Sequence, residues 1–237
     1  MTSARALLLI ADMGGYTEYM RTHRMSLAHA EVNTARLLEK VIDAAPGFDL
    51  VEIEGDAAFL SRGADGLPPE AAVKEVLRAA SAMHHAFHVE RQYVAKNLCP
   101  CAGCKEAAAL KLKFVAHVGE VATQTIRHRR KLVGIDVILL HRLLKNSVEI
   151  PEYVLLSEEL YADGEGVVST PVHEIAPELE GVGPVRAFYV DVGDLEWSRP
   201  PLPAPSWRGR LGRTFAAAGL GMPYMLGLRR RREASAQ

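Results

Sequence analysis

ALLLIADMGGYTEYM (residues 6–20) and VEIEGDAAFL (residues 51–60) decide how this chain reads. In the first, Ala6 to Ala11 is an unbroken apolar run, as in a strand buried on both faces. Asp12 ends it, and Gly14-Gly15 signals a turn. In the second, a strand from Phe48 to Ile53, a tight Gly55-Asp56 turn and a return strand from Ala57 to Leu60 form a hairpin. Each segment therefore sets one aspartate beside glycine at the end of a strand.

The rest of the chain alternates around these segments. From Leu27 to Ala45, Val32, Ala35, Leu38, Val41, Ile42 and Ala45 recur at helical spacing, and Pro46-Gly47 stops the helix. Pro68-Pro69 opens a long helix with Val73, Val76, Leu77, Ala80 and Phe87 as its buried seam. Leu110, Leu112, Phe114, Ala116 and Val118 alternate along a strand. Gly134 to Leu144 reads as a helix, and Tyr153 to Leu156 and Val185 to Val190 as strands. The order β-α-β-β-α-β-α-β points to an α+β fold of the ferredoxin-like kind, a mostly antiparallel central sheet with helices packed on it. We read residues 1–195 as this domain, with a Cys-rich loop at 97–106. Residues 196–237 form a proline-rich linker and an apolar, basic tail.

Composition narrows the function classes. The 237 residues carry a formal net charge of −1, so bulk charge argues for neither nucleic acid nor acidic partners, and no nucleic-acid partner is expected. The N-terminal apolar run is short and is broken by Asp12, so it reads as a strand and not as a signal peptide. No run reaches the roughly 18 apolar residues of a membrane span. Three clustered cysteines argue for a reducing compartment, the cytoplasm.

Asp12 and Asp56 are the first candidate site. Two neighbouring central strands would bring both carboxylates to one sheet edge. Like charges about 4 Å apart repel by roughly 4 kcal/mol at an effective dielectric of 20. A hard divalent cation, Mg²⁺ or Mn²⁺, removes that penalty. On spacing alone, two ordinary turn aspartates are the favoured reading.

A resemblance sharpens this reading. ALLLIADMGGYTEYM resembles the first strand and turn of the class III adenylate/guanylate cyclases, and VEIEGDAAFL their second-strand hairpin. FVAHVGEV (114–121), GIDVILLHRLL (134–144) and EGVGPVRAFYV (180–190) resemble three later segments of that family, in the family's order. The HRLLKN stretch and the Cys cluster look more like an uncharacterised bacterial branch. The resemblance implies that Asp12 and Asp56 bind Mg²⁺ or Mn²⁺. It implies that backbone amides around Gly14, Gly15, Tyr16 and Thr17 cradle a nucleoside triphosphate. It also implies that Arg142 stabilises a transition state from the opposite subunit of a homodimer. The family's reaction is attack of a ribose 3′-hydroxyl on the α-phosphate, with release of pyrophosphate.

Several positions depart from the family. The transition-state Asn position holds Ile138, which has no hydrogen-bond donor in its side chain. The two base-reading positions hold Glu52 and Lys131. The phosphate-binding Lys position holds Glu180. We therefore expect a domain that binds metal and nucleotide as a regulatory module without strong turnover. A divergent cyclase and a purely structural interaction domain are the alternatives.

Three further features stand apart. Cys99, Cys101 and Cys104 could hold a structural Zn²⁺ with a fourth ligand from His84, His88, His117 or His128, could be reduced thiols in a loop, or could sense redox state. Arg127, Arg129, Arg130 and Lys131 read as a solvated hairpin tip. The tail from Trp207 to Leu228, flanked by arginines, suits either peripheral contact with an anionic membrane or packing on the body.

Overall fold

The computed structural model describes residues 3–22, 27–99, 102–162, 166–195 and 202–225. In chain order the elements are β1 (Ser3–Gly14), α1 (Tyr16–Thr22), α2 (Leu27–Asp43), β2 (Asp49–Glu54), β3 (Ala57–Gly63), α3 (Pro69–Ala95) and α4 (Ala102–Glu106). They continue as β4 (Lys111–Ile126), β5 (Arg129–Val133), α5 (Ile135–Leu143), β6 (Tyr153–Ser157), α6 (Glu158–Ala162), β7 (His173–Ile175), β8 (Glu178–Leu179), β9 (Gly183–Pro184), β10 (Ala187–Asp191) and α7 (Trp207–Met225). This is the expected α+β class. The chain divides into two compact units, one of residues 1–14, 38–87 and 111–201 and one of residues 15–37, 88–110 and 202–237.

The first unit holds the sheet. Its strand order is β2-β3-β1-β4-β6-β10-β7, with β5 paired to β4. The pairings are antiparallel except β4 with β6, which is parallel. Burial alternates in kind along the central strands. Ala6, Leu8 and Ile10 of β1, Ala57 and Phe59 of β3, Val115 of β4 and Leu155 of β6 join one core with Val137, Leu140 and Leu143 of α5. The residues between them, Leu7, Leu9, Ala58, Leu60, Phe114 and Ala116, are equally buried and point to the opposite face. Both faces of the sheet are therefore covered, which is why β1 reads as a continuous apolar run.

Two strands exceed the sequence reading. The first strand extends through Asp12 to Gly14, so Asp12 lies inside the ladder and not after it. The strand expected over 110–118 continues to Ile126 and turns at Arg127-His128 into β5. That hairpin is built from Thr, Gln and basic residues, so no apolar alternation announces it.

Helix α2 buries Leu38 and Val41 as its spacing requires, and its first half, in the second unit, adds a polar set to that face. Leu37 is buried together with Asn33 and Thr34, while Ala35 is exposed. The reason is a polar contact. The Asn33 amide donates to the Tyr19 hydroxyl at 3.2 Å and reaches the Cys104 sulfur at 3.7 Å. Helix α7 is fastened within this unit by a buried carboxylate. Glu90 accepts from Arg213 at 2.7 and 3.0 Å and lies 3.1 Å from Arg36. The Arg213 guanidinium also lies 3.7 Å over the Tyr93 ring. Gly209 permits this approach, because a Cβ there would meet Tyr93 and Ser206. No helix among the described residues is long and apolar enough to cross a membrane.

Candidate functional site

The two aspartates reach one end of the sheet through ladder register. Asp12 pairs with Ala57 of β3 on one side and with Lys113 of β4 on the other. Asp56 occupies the turn between β2 and β3, where Gly55 adopts φ +65°. The Met13 N–H donates to the Asp56 carbonyl at 3.3 Å, which ties the turn to β1. The carboxyl of Asp56 is pushed above its ordinary value, first by burial and then by the charge of Asp12. Its own backbone amide and Lys113 pull the other way. The pair is thus a partly buried, mutually repelling set of hard oxygen donors, which fits Mg²⁺ or Mn²⁺. When bound, such a cation would polarise phosphoryl oxygens.

Lys113 is the residue that the sequence reading missed. Its ammonium lies 3.2 Å from Oδ2 of Asp12. Only the β1–β4 register, which joins positions about a hundred apart, puts the two side chains together. Tyr153 borders the same region. Burial pushes its phenol up, and its hydroxyl donates to Oδ1 of Asn146 at 3.0 Å.

The four replaced or retained charges on the other side of the expected reaction pair with one another. Lys131 of β5 lies 3.2 Å from Glu52 of β2. Arg142 of α5 donates to Glu180 at 2.8 Å. Glu180, which stands at the family's phosphate-binding Lys position, is thus the partner of Arg142 in the folded chain. Ile138 is 50% exposed on α5, so no core packing accounts for an apolar residue there.

Of the expected phosphate cradle, Gly14 closes β1 in the first unit. Gly15, Tyr16 and Thr17 belong to the second. Gly15 takes φ +83°, and its carbonyl accepts from the Tyr19 N–H at 3.0 Å to start α1.

The cysteine cluster is only partly described. Cys101 lies outside the described residues. The Cys104 sulfur is buried and accepts from the Asn97 amide at 3.1 Å, while the Cys99 N–H donates to Oδ1 of Asn97 at 2.8 Å. Among the described residues, Cys99 and Cys104 do not come together with a third metal-ligating side chain.

The four candidate histidines stand in different settings. His84 lies 3.4 Å from Glu152, and His88 is buried. His128 is exposed at the β4–β5 turn beside Arg127, the solvated tip expected there. His117 is buried in the first unit. Its Nδ1 lies 2.7 Å from the Ser157 hydroxyl, and its Nε2 lies 3.2 Å from Asp136. Asp136 also accepts from the Glu120 N–H at 2.6 Å, which anchors the first turn of α5 to β4. Gly119 is required for this approach, since a Cβ there would collide with the Asp136 carboxylate.

Comparisons place this architecture. The adenylyl cyclase CyaB from P. aeruginosa superposes with a TM-score of 0.61 at 17% identity, covering 85% of this chain and 98% of that one. The guanylate cyclase domain of RhGC from Catenaria anguillulae, in complex with GTP, gives a TM-score of 0.55 at 15% identity, covering 80% and 97%. The guanylyl cyclase Cya2 gives 0.58 at 18% identity, covering 82% and 96%. The expected cyclase fold is therefore the fold observed. In sequence, the uncharacterized protein Rv2561/Rv2562 of Mycobacterium tuberculosis is 34% identical over 197 residues, which is 83% of this chain and 90% of that protein. Residues 34–153 match the model of a protein of unknown function, DUF2652. With half of its length matched to that model and a relative of this identity, the chain belongs to the DUF2652 family and has the fold of the class III nucleotidyl cyclases.

Proposed function

We propose that this domain binds a divalent cation with a nucleoside triphosphate and acts as a regulatory module without strong turnover. One observation carries the reading. Asp12 pairs with Ala57, the residue that follows Asp56, and the Met13 N–H donates to the Asp56 carbonyl at 3.3 Å, so the strand register brings the two aspartates to one place. A cation relieves their mutual repulsion, and a triphosphate brings the negative charge that the cation then shares. Gly14, Gly15, Tyr16 and Thr17 are the residues we assign to the phosphates, and Glu52 and Lys131 those we assign to the base.

The weak turnover follows from the neighbours. Arg142 is engaged by Glu180, and Ile138 offers no donor where charge would develop. Loss of one such donor typically lowers a rate on the order of 10²–10³-fold. A homodimer in the cytoplasm completes the reading. Leu50 and Ile53 of β2 and Ile135 and Ile138 of α5 are all exposed, on two elements that both border β5. That is apolar area suited to a second copy.

Thermal melting tests the binding. Mn²⁺ with ATP or GTP raises the melting temperature of the wild type. At about 100 times Kd the added stability is roughly 2.7 kcal/mol. Asp12→Asn and Asp56→Asn abolish the rise. A wild type that melts unchanged with every metal–nucleotide pair refutes the reading in favour of a structural interaction domain.

A second, separable reading concerns α7. Trp207 and Phe215 are 66% and 68% exposed, and the sequence after the helix carries Arg229 to Arg232. We assign this helix to peripheral contact with anionic lipid. Trp207→Ser with Phe215→Ser lowers co-sedimentation with anionic liposomes. Equal partitioning of both proteins ends the idea.

A further inference from the structure

We propose that a cavity lined by the first half of α3 and by residues 167–170 binds a small carboxylic acid, at a site that shares no residue with the aspartate pair. The cavity has a volume of about 180 Å³ and lies wholly within the first unit. Leu77, Val167, Val168 and Leu195 give it an apolar lining, while Lys74, Ser169 and Thr170 supply its polar groups. Among the described residues no acidic side chain lines it, so its one charge is the Lys74 ammonium. Lys74 makes no ion pair among those residues, and its neighbour Glu75 is held by Arg62 at 2.6 Å and by Arg78 at 3.0 Å.

The second group is a hydroxyl. Oγ1 of Thr170 is enclosed and has no hydrogen-bond partner among the described residues. A buried hydroxyl without a bond is unfavourable, and a turn about χ1 towards the cavity breaks none. Pro171 restricts the backbone of Thr170 to the extended region, which limits the change to the side chain. A carboxylate in the cavity accepts from this hydroxyl, from Ser169 and from the ammonium, and bonds to an ionised acceptor are the stronger kind. Volume sets the rest of the ligand. An apolar cavity of roughly 150 Å³ takes a benzene-sized molecule, whereas drug-sized ligands need about 300 Å³ or more. A nucleotide is thus too large, and inorganic phosphate leaves the apolar lining unfilled. An acid with a body of about six carbons fills it.

Calorimetric titration of the full-length protein with benzoate, benzamide and inorganic phosphate tests the site. Benzoate is expected to bind the wild type, benzamide about tenfold more weakly, and phosphate to give no saturable heat. Lys74→Met is expected to weaken benzoate on the order of tenfold, because the contact between opposite charges is gone. Thr170→Val should weaken it as well, yet melt no lower than the wild type without ligand, since its hydroxyl has no bond to lose. Absence of saturable benzoate binding by the wild type, or equal affinity in the wild type and Lys74→Met, overturns the proposal. Phosphate binding as tight as benzoate overturns the carboxylic acid as the ligand class. A Thr170→Val protein that melts well below the wild type contradicts the unbonded hydroxyl. Lys74→Gln is titrated in parallel, so that a folding defect in the methionine variant leaves the proposal exposed, and benzoate affinity equal to that of the wild type refutes it there too.

Discussion

The Asp56 carboxyl is pushed above its ordinary value by burial and then by the charge of the neighbouring Asp12. Its folded-state carboxyl therefore binds a proton more readily than in the unfolded chain. For a group raised in this way, the ionised form weighs against folding above the raised value, and the weight lifts as pH falls through it. Asp56→Asn is accordingly expected to raise the melting temperature of metal-free protein at neutral pH. The gain should shrink as the pH falls towards the ordinary carboxylate value of 3.8. Melting curves over that range in chelator check it, and a variant that is less stable at neutral pH contradicts it. Both aspartates drew notice in the sequence through the glycines near them, although Asp12 lies within β1 and not at its end. Lys113 did not. On β4 it alternates with Leu112 and Phe114 as any outward polar residue would, and only pairing with a distant strand gives it a role. The same holds for Glu52 with Lys131 and for Arg142 with Glu180, whose mutual charges make sense only once their elements meet.

Elements were easiest to read where apolar residues fall at a single period, and hardest where a polar contact fixes the face. Helix α3 buries Val73, Val76, Leu77, Ala80 and Phe87 as its spacing requires. Helix α2 buries Leu38 and Val41 as its spacing requires, but it also turns Asn33 inward, where the amide reaches Tyr19 and Cys104, while Ala35 is exposed. Helix α7 is harder still, since Gly209, Gly212, Gly219 and Pro223 all argue against a helix. It is held instead by tertiary bonds. Arg213 clasps Glu90, Arg210 donates to the Lys96 carbonyl, and the Leu98 N–H donates to the Thr214 hydroxyl at 3.1 Å. Glu90→Gln leaves Arg36 and Arg213 without their shared carboxylate. Breaking a buried pair from one side costs about 3–5 kcal/mol. Chemical denaturation should show a loss of that order, with earlier proteolytic cleavage near α7. A loss under about 1 kcal/mol would place the clasp among surface ion pairs of little consequence.

At the scale of the molecule, five ordered segments carried the cyclase fold in the sequence, and the sheet order and pairing agree with them. The exposed apolar residues on β2 and α5 bear on assembly. Ile53→Glu with Ile135→Glu is expected to turn a dimer into a monomer in light scattering. A monomeric wild type contradicts the dimer. The central claim, binding at the aspartate pair with little conversion, is tested most directly by equilibrium dialysis of the wild type and Asp56→Asn against ATP or GTP with Mn²⁺. The retained nucleotide is then separated by chromatography. The account predicts that the wild type retains nucleotide, that Asp56→Asn does not, and that what is retained is recovered as triphosphate. Recovery as a cyclic nucleotide that disappears with Asp56→Asn, or equal retention by the two proteins, would contradict it.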